Sequence, residues 1–187
     1  MVDAEAWSRP SDEAMRKLLA LTGMSVVLAA AASAAPITPF TIYGGYFRGN
    51  TFTNRAGAGV HLAGPELGIQ QSLLSLPLVG QVDVGASALF SGSGFGGGDS
   101  GNLYRLYAQY KSPTAGPNSI YGIAGLSFNW AQGSSFDSQH GIATEFGIGF
   151  PIKAPLPGAP GIGLEARYRS GSKSAFRGIG LGVTVSF

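Results

Sequence analysis

The sequence predicts an all-β fold, an eight-stranded antiparallel up-and-down β-barrel that crosses a membrane. From residue 36 onward, apolar residues alternate with small or polar ones, and no segment keeps the 3.6-residue apolar period of an amphipathic helix. Charged residues make up 12% of the 187 residues, about half the usual share, and 30 residues are glycine. The third observation is an N-terminal segment typical of an export signal.

That N-terminal segment predicts a cleaved signal peptide over residues 1–35. A basic pair at 16–17 precedes the apolar residues 18–32, and the small-residue pattern Ala-Ser-Ala follows. The apolar run has about 15 residues, whereas a membrane-spanning helix needs roughly 20. The residues before Met15 are acidic where a signal peptide is basic, which favours Met15 as the true start. The predicted mature domain, 36–187, is the outer-membrane barrel.

Eight strands are predicted along this domain. Six are clear, because apolar residues occupy every second position: 82–90, 104–111, 120–130, 142–150, 162–169 and 178–187. Two are weaker: Phe40 to Phe47, and a segment from Gly57 to about Gln71 in which Gly64-Pro65 predicts a bulge. Proline-containing turns near 75–77, 113–119 and 155–160 alternate with Gly/Ser-rich connections at 49–55, 91–102, 132–140 and 170–175. We expect the Gly/Ser-rich set to be the outward loops.

The faces opposite the apolar ones predict a narrow, filled interior. They consist mostly of Gly, Ala, Ser and Thr, which fit inside eight closed strands while lipid solvates the apolar outer face. By the same alternation five charges share the interior, where a salt-bridge network is favoured over a proton or ion path: Asp83, Arg105, Glu145, Glu165 and Arg167. The alternative is a soluble exported barrel that binds an apolar ligand, which needs the apolar face inside.

Aromatic residues near the strand ends predict girdles at two membrane interfaces. They are Tyr43, Tyr46, Tyr104, Tyr110, Trp130, Phe150 and Tyr168. Ordinary packing within strands is the other interpretation of these positions.

The last strand carries a resemblance to a known class. Apolar residues at 179, 181, 183 and 185 lead by alternate positions to a terminal Phe187. Together with the export signal and eight alternating strands, this resembles the small eight-stranded β-barrels of the bacterial outer membrane. The resemblance implies that the barrel-assembly machinery reads Phe187 during insertion. It also implies a non-enzymatic, envelope-stabilising or surface-interaction role, with outer-membrane lipid or lipopolysaccharide as the neighbour.

The segment from Glu165 to Ser172 resembles the end of the lipid A 3-O-deacylase family of eight-stranded barrels. Those enzymes carry a His-x-Ser motif on the penultimate strand and a glutamate on the last, so Ser170 matches the nucleophile. Here Tyr168 stands where the histidine should be, and the last strand, 176–187, has no acid. Without a base and its orienting acid we expect Ser170 to be inert. A deacylase-like acyl hydrolase is thus the alternative function.

Three basic residues around the last outward loop are candidates for contact with lipid phosphates, with a hydrated loop as the alternative: Arg169, Lys173 and Arg177. Ser135, Asp137, Ser138 and His140 contain the residue types of a serine triad but lie in one loop, which favours a solvated loop. His61 is expected to be a hydrogen-bonded lumen residue.

Composition excludes several other classes. A formal net charge of +2 is too small for a nucleic-acid surface. The absence of cysteine excludes disulfides, thiolate catalysis and a cysteine-linked lipid anchor. No metal site and no cofactor are predicted.

Overall fold

The computed structural model describes residues 40–76, 78–92, 99–114, 116, 119–152 and 160–187. The predicted signal peptide, 1–35, and Met15 lie outside these residues. The described chain forms ten strands and one short 3-10 turn: β1 Phe40–Gly49, β2 Phe52–Thr53, β3 Gly59–Val60, β4 Ala63–Leu76, β5 Gly80–Ser91, β6 Gly101–Lys111, β7 Tyr121–Gly133, β8 Gln139–Ile152, β9 Gly161–Gly171, the turn Ser174–Phe176, and β10 Gly178–Ser186. No helix in this part of the chain is long and apolar enough to cross a membrane.

Eight of the strands form a closed antiparallel barrel, as the alternation predicted. The order around the barrel is β1-β10-β9-β8-β7-β6-β5-β4, so neighbours in sequence are neighbours in space. Strand β1 closes the barrel by pairing with β10 from Thr41–Ser186 to Gly49–Gly178. Closure leaves no free strand edge in the wall, which removes the unpaired backbone groups that invite aggregation.

Side chains alternate between the two faces of the wall, and the polarity is the reverse of that in a soluble protein. In β9, Leu164 and Tyr168 point outward and are exposed, whereas Glu165, Arg167 and Arg169 point inward and are buried. The other strands repeat this arrangement, with large apolar side chains outside and glycines, polar groups and charges inside. The two-residue period thus separates an apolar outer surface from a polar lumen.

The up-and-down topology sends the connections to two ends of the barrel. The end that carries the connections 50–62, 92–100, 134–138 and 172–177 is called the loop end here, and it holds the Gly/Ser-rich set. The opposite end, called the turn end, is where β4 leads to β5, β6 to β7 and β8 to β9, and where β1 begins and β10 ends. There the Phe187 ring stacks on Phe40, with centroids 5.1 Å apart, and the Phe187 N–H donates to the Phe40 carbonyl.

The second predicted strand needs correction at both of its features. Gly57 belongs to the tight β2–β3 hairpin, has a φ of +78° and follows Asn54, whose side-chain oxygen accepts the N–H groups of Ala56 and Ala58. The pairing of β4 with β1 runs without a break through Gly64-Pro65, and the register shift lies between Ser72 and Leu74. Glycine is needed at 64 because a Cβ there would collide with the Phe90 carbonyl oxygen on β5.

Candidate functional site

The middle of the lumen is filled by three arginines and two glutamates. Arg105 donates to Glu66 at 2.6 Å and to Glu145 at 2.7 Å. Arg169 joins the same two carboxylates, at 2.6 Å to Glu66 and 2.8 Å to Glu145, and Arg167 donates to Glu145 at 2.8 Å. All five side chains are at most 2% exposed. Each ion is therefore held by opposite charges, as burial requires.

A second group of charges lies below this layer, toward the turn end. The Lys111 ammonium is 3.0 Å from Glu165 and 3.5 Å from Asp83, and Arg167 pairs with the other oxygen of Glu165. The Tyr121 hydroxyl donates to Glu165 at 2.8 Å. Amide side chains complete the shell of Asp83, whose carboxylate accepts from Gln70, Gln81 and Gln109. The Lys111 side chain is 12% exposed, because a cavity of about 410 Å³ opens beside it at the turn end.

Aromatic rings and glycines give the lumen its shape. Each of the three buried guanidinium groups stacks on a ring 4.5 to 4.8 Å away: Arg105 on Tyr107, Arg167 on Tyr43 and Arg169 on Phe47. The rings need space that glycine provides. A Cβ at Gly182 would strike the Tyr43 ring, and one at Gly85 would lie 2.6 Å from the Tyr107 ring. The cation–π contacts and the glycine content are thus parts of one packing solution.

An apolar cluster, called the cap here, fills the lumen at the loop end. Phe52 from the β2–β3 hairpin meets Phe136 from the β7–β8 connection edge to face at 5.1 Å. Around them are packed Phe47, Val60, Leu62, Leu89, Leu103, Ala131, Ala143, Ala175 and Phe176. Three of the connections therefore fold inward and fill this end of the lumen: 50–62, 134–138 and 172–177. The alternation within the strands did not predict the cap, because half of it comes from loop residues.

The described lumen is electrically balanced. Its acids are Glu66, Asp83, Glu145 and Glu165, and its bases are Arg105, Lys111, Arg167 and Arg169. With the cap above and the paired charges below, side chains occupy the interior that a conducting channel would need for water. The ion pairs of this arrangement join strands from different sides of the barrel.

The structure brings the five predicted lumen charges into one connected network and adds three residues. Lys111 and Arg169 were within reach of sequence reasoning, because they share the inward parity of Arg105 and Arg167 on their strands. Glu66 was missed because the bulge predicted at Gly64-Pro65 would have shifted the alternation, whereas the strand runs through these residues without a break. The prediction that Arg169 contacts lipid phosphate is wrong, since its side chain is fully buried between Glu66 and Glu145.

The other two cations predicted for lipid contact, Lys173 and Arg177, are exposed at the loop end. The Arg177 Nε donates to the Gly171 carbonyl at 2.7 Å. Among the predicted girdle residues, Tyr43 is misplaced, because its ring lies inside the lumen under Arg167. An inward tyrosine near a strand end cannot be told from an outward one until the parity of its strand is known.

The described residues bring no serine triad together. Ser170 points outward from β9 and is exposed, and no imidazole or carboxylate within the described residues is hydrogen-bonded to it. In the β7–β8 connection, Asp137 pairs with Arg55 at 2.6 Å, not with His140. His61 lies in the connection between β3 and β4, where its backbone N–H donates to the Asp99 carboxylate. Within the described residues, no group of three potential ligands is placed to hold a metal ion.

No family model matches the chain, and neither does the sequence of a curated protein. The solved structures that are similar to it include the following three. Neisserial surface protein A (NspA) is 17% identical with a TM-score of 0.48, over 79% of this chain and 97% of that one. The N-terminal β-barrel domain of Pseudomonas aeruginosa OprF is 18% identical with a TM-score of 0.43, over 79% and 97%. Ail, the attachment invasion locus protein of Yersinia pestis, is 19% identical with a TM-score of 0.42, over 80% and 99%. At these values the similarity assigns no activity, ligand or partner to this chain.

Proposed function

We propose that this protein is a non-enzymatic β-barrel of the bacterial outer membrane, which stabilises the envelope or presents its loops for interactions at the surface. One observation carries the proposal: the wall is apolar outside and charged inside. Leu126, Phe146 and Leu181 lie at mid-strand and are more than half exposed, while the lumen charges are buried. In water this distribution would leave a large apolar surface exposed, which is unfavourable, whereas hydrocarbon solvates the outer face.

The soluble alternative loses support from the same distribution. A soluble barrel that carries an apolar ligand needs an apolar lumen of sufficient volume. Here the lumen holds paired ions, amides and rings, and its apolar part, the cap, is itself densely packed. The filled, charge-balanced interior favours a structural or surface role over transport.

The proposal includes the route and the neighbours of the barrel. Export by the signal peptide 1–35 would deliver the chain to the periplasm, where the barrel-assembly machinery would read Phe187. Outer-membrane lipid or lipopolysaccharide would then contact the apolar wall. The position of Phe187 supports a role in assembly, because the residue contacts Phe40 where β10 meets β1 and the barrel closes.

The membrane placement is tested with one charge introduced on the outer face of the wall and with a matched control. We expect Leu126→Arg to cost about 2–4 kcal/mol in a bilayer, because it places a cation near mid-wall on the lipid face. In a soluble protein the same exposed position would tolerate arginine. Ser134→Arg, in an exposed part of the β7–β8 connection, is the control.

The measurement is fractionation of expressing cells followed by gel migration with and without boiling. A heat-dependent shift of the wild type and of Ser134→Arg in the outer-membrane fraction, lost in Leu126→Arg, supports the proposal. Recovery of the wild type as a soluble periplasmic protein would refute it.

The non-enzymatic part has its own test at Ser170. The deacylase-like alternative rests on sequence resemblance alone, and Ser170 lacks a hydrogen-bonded base within the described residues. Mass spectrometry of lipid A should therefore show the same acylation with the wild type, with Ser170→Ala and with no protein. Loss of an acyl chain that depends on Ser170 would replace the structural role with hydrolysis.

A further inference from the structure

We infer that the loop-end rim of β9, β10 and β1 is a binding site for the phosphate of an anionic membrane lipid, formed by Arg48 and Arg177, with Lys173 exposed in the same β9–β10 connection as Arg177. This inference rests on the proposed membrane placement. The site differs from the one predicted from the sequence: Arg169 is buried in the lumen and takes no part, whereas Arg48, which faces outward from β1 and is exposed, does.

The two arginines lie close together at the loop end, Arg48 near the end of β1 and Arg177 in the connection just before β10. Arg48 is directly across from Ile179 in the β1–β10 pairing, and the Asn50 N–H donates to the Arg177 carbonyl at 2.7 Å. Arg177 has the same outward parity as Ile179. Two guanidinium groups therefore project from neighbouring backbones on the outer face, and guanidinium is the side-chain group that best matches phosphate oxygens.

These cations have no acid to neutralise them in the part of the chain that the structure describes. The lumen retains the four acids of its network, and Asp137 is paired with Arg55. Asp99 accepts the His61 N–H. No ion pair of the described residues involves Arg48, Lys173 or Arg177. The rim there is a local excess of positive charge, which an anion would balance.

The wall beside Arg48 and below Arg177 is apolar. Tyr46 lies across from Leu181, and Tyr168 lies across from Ile179, and all four side chains are exposed. A free phosphate would use only the cations, whereas a lipid would place its phosphate between them and its acyl chains along this strip. The amphipathic profile therefore favours a lipid headgroup over an inorganic anion.

The site is confined to one side of the barrel. On β6 and β7 the outer rim carries Tyr104 stacked on Trp130 at 5.4 Å, with Phe128 beside Trp130. The cation that reaches the β7–β8 side, Arg55, is bound to Asp137. Arg55 thus supplies a matched control: it is an exposed arginine at the same end whose charge is already paired.

The test is native mass spectrometry of the full protein in detergent micelles, with phosphatidylglycerol or phosphatidylcholine added. We expect the wild type to retain phosphatidylglycerol preferentially. The double variant Arg48→Gln/Arg177→Gln should lose about 30-fold of that preference, which corresponds to two interfacial cations at about 1 kcal/mol each. The double variant Arg48→Lys/Arg177→Lys should keep most of it, and Arg55→Gln should behave as the wild type.

Each other outcome overturns the inference. Equal retention of both lipids by the wild type, or an equal loss in Arg55→Gln and in the double glutamine variant, would remove the site. So would displacement of the lipid by millimolar inorganic phosphate, which would mean that the acyl strip contributes nothing. A membrane-inserted, heat-modifiable barrel without lipid preference leaves the proposed function standing, whereas recovery of the protein in the soluble fraction overturns both.

Discussion

Neutralising Glu145 is the sharpest perturbation of the lumen. Its carboxylate accepts hydrogen bonds from Arg105 at 2.7 Å, from Arg167 at 2.8 Å and from Arg169 at 2.8 Å. The change Glu145→Gln preserves the volume of the side chain but leaves four cations against three carboxylates in the described lumen. It also turns an amide N–H toward guanidinium groups that need acceptors.

The expected cost is about 3–5 kcal/mol, which is the usual loss when one partner of a buried ion pair is removed. Three arginines share this carboxylate, and all are at most 2% exposed, which places the loss at the upper end of the range. The control is Asp137→Asn. Its pair with Arg55 has side chains that are 60% and 80% exposed, so the loss should stay below about 1 kcal/mol.

The assay is urea unfolding of the folded barrel, followed by circular dichroism and by the heat-dependent gel shift. The double variant Glu145→Gln/Arg167→Gln should recover part of the loss, because it restores the balance of charge. If Glu145→Gln costs less than about 1 kcal/mol, or no more than Asp137→Asn, water shields these charges. The lumen would then not be the network of buried ion pairs described above.

Three further predictions concern space, assembly and conduction. Gly45→Ala should cost about 1–3 kcal/mol in the same urea assay, because its Cβ would lie 2.5 Å from the Tyr43 hydroxyl. The control is Gly44→Ala. A Cβ at Gly44 meets its nearest atom at 3.6 Å, so this variant should change the stability by under about 0.5 kcal/mol. Phe187→Ala should strongly reduce the folded barrel recovered from cells yet cost refolded protein only about 0.5–1.5 kcal/mol, the worth of its stacking on Phe40; equal effects would argue against an assembly signal. Planar bilayers containing the wild-type barrel should show no conductance steps, and regular steps would contradict a filled lumen.

Period-two alternation was sufficient to predict the closed barrel, because a strand wall between two solvents must alternate. Parity alone predicted that five charges face the lumen: Asp83, Arg105, Glu145, Glu165 and Arg167. Parity failed where a bulge was predicted at Gly64-Pro65 instead of between Ser72 and Leu74, and this is why Glu66 was missed. Arg169 shows a different error: an arginine next to a loop was assigned to the rim although its parity matched that of Arg167.

The cap was beyond sequence reasoning for a physical reason. Phe52 and Phe136 lie in polar, Gly-rich connections, where a single aromatic residue carries no periodic signal. Their burial depends on two loops, far apart in sequence, meeting over the same lumen. A contact of this kind is fixed by the closure of the barrel and by the lengths of the loops, not by any local pattern.

The inside and the outside of this barrel impose different demands on the sequence. In the proposed membrane, an outward position such as Leu126 needs only an apolar side chain, because fluid hydrocarbon adapts to any shape. An inward position needs a match in both shape and charge: Tyr43 lies against Gly45 and Gly182, and its ring supports Arg167. Stability should therefore depend more on the lumen than on the outer face. Substitutions that keep an outward residue apolar should reduce the stability far less than substitutions that keep an inward residue polar.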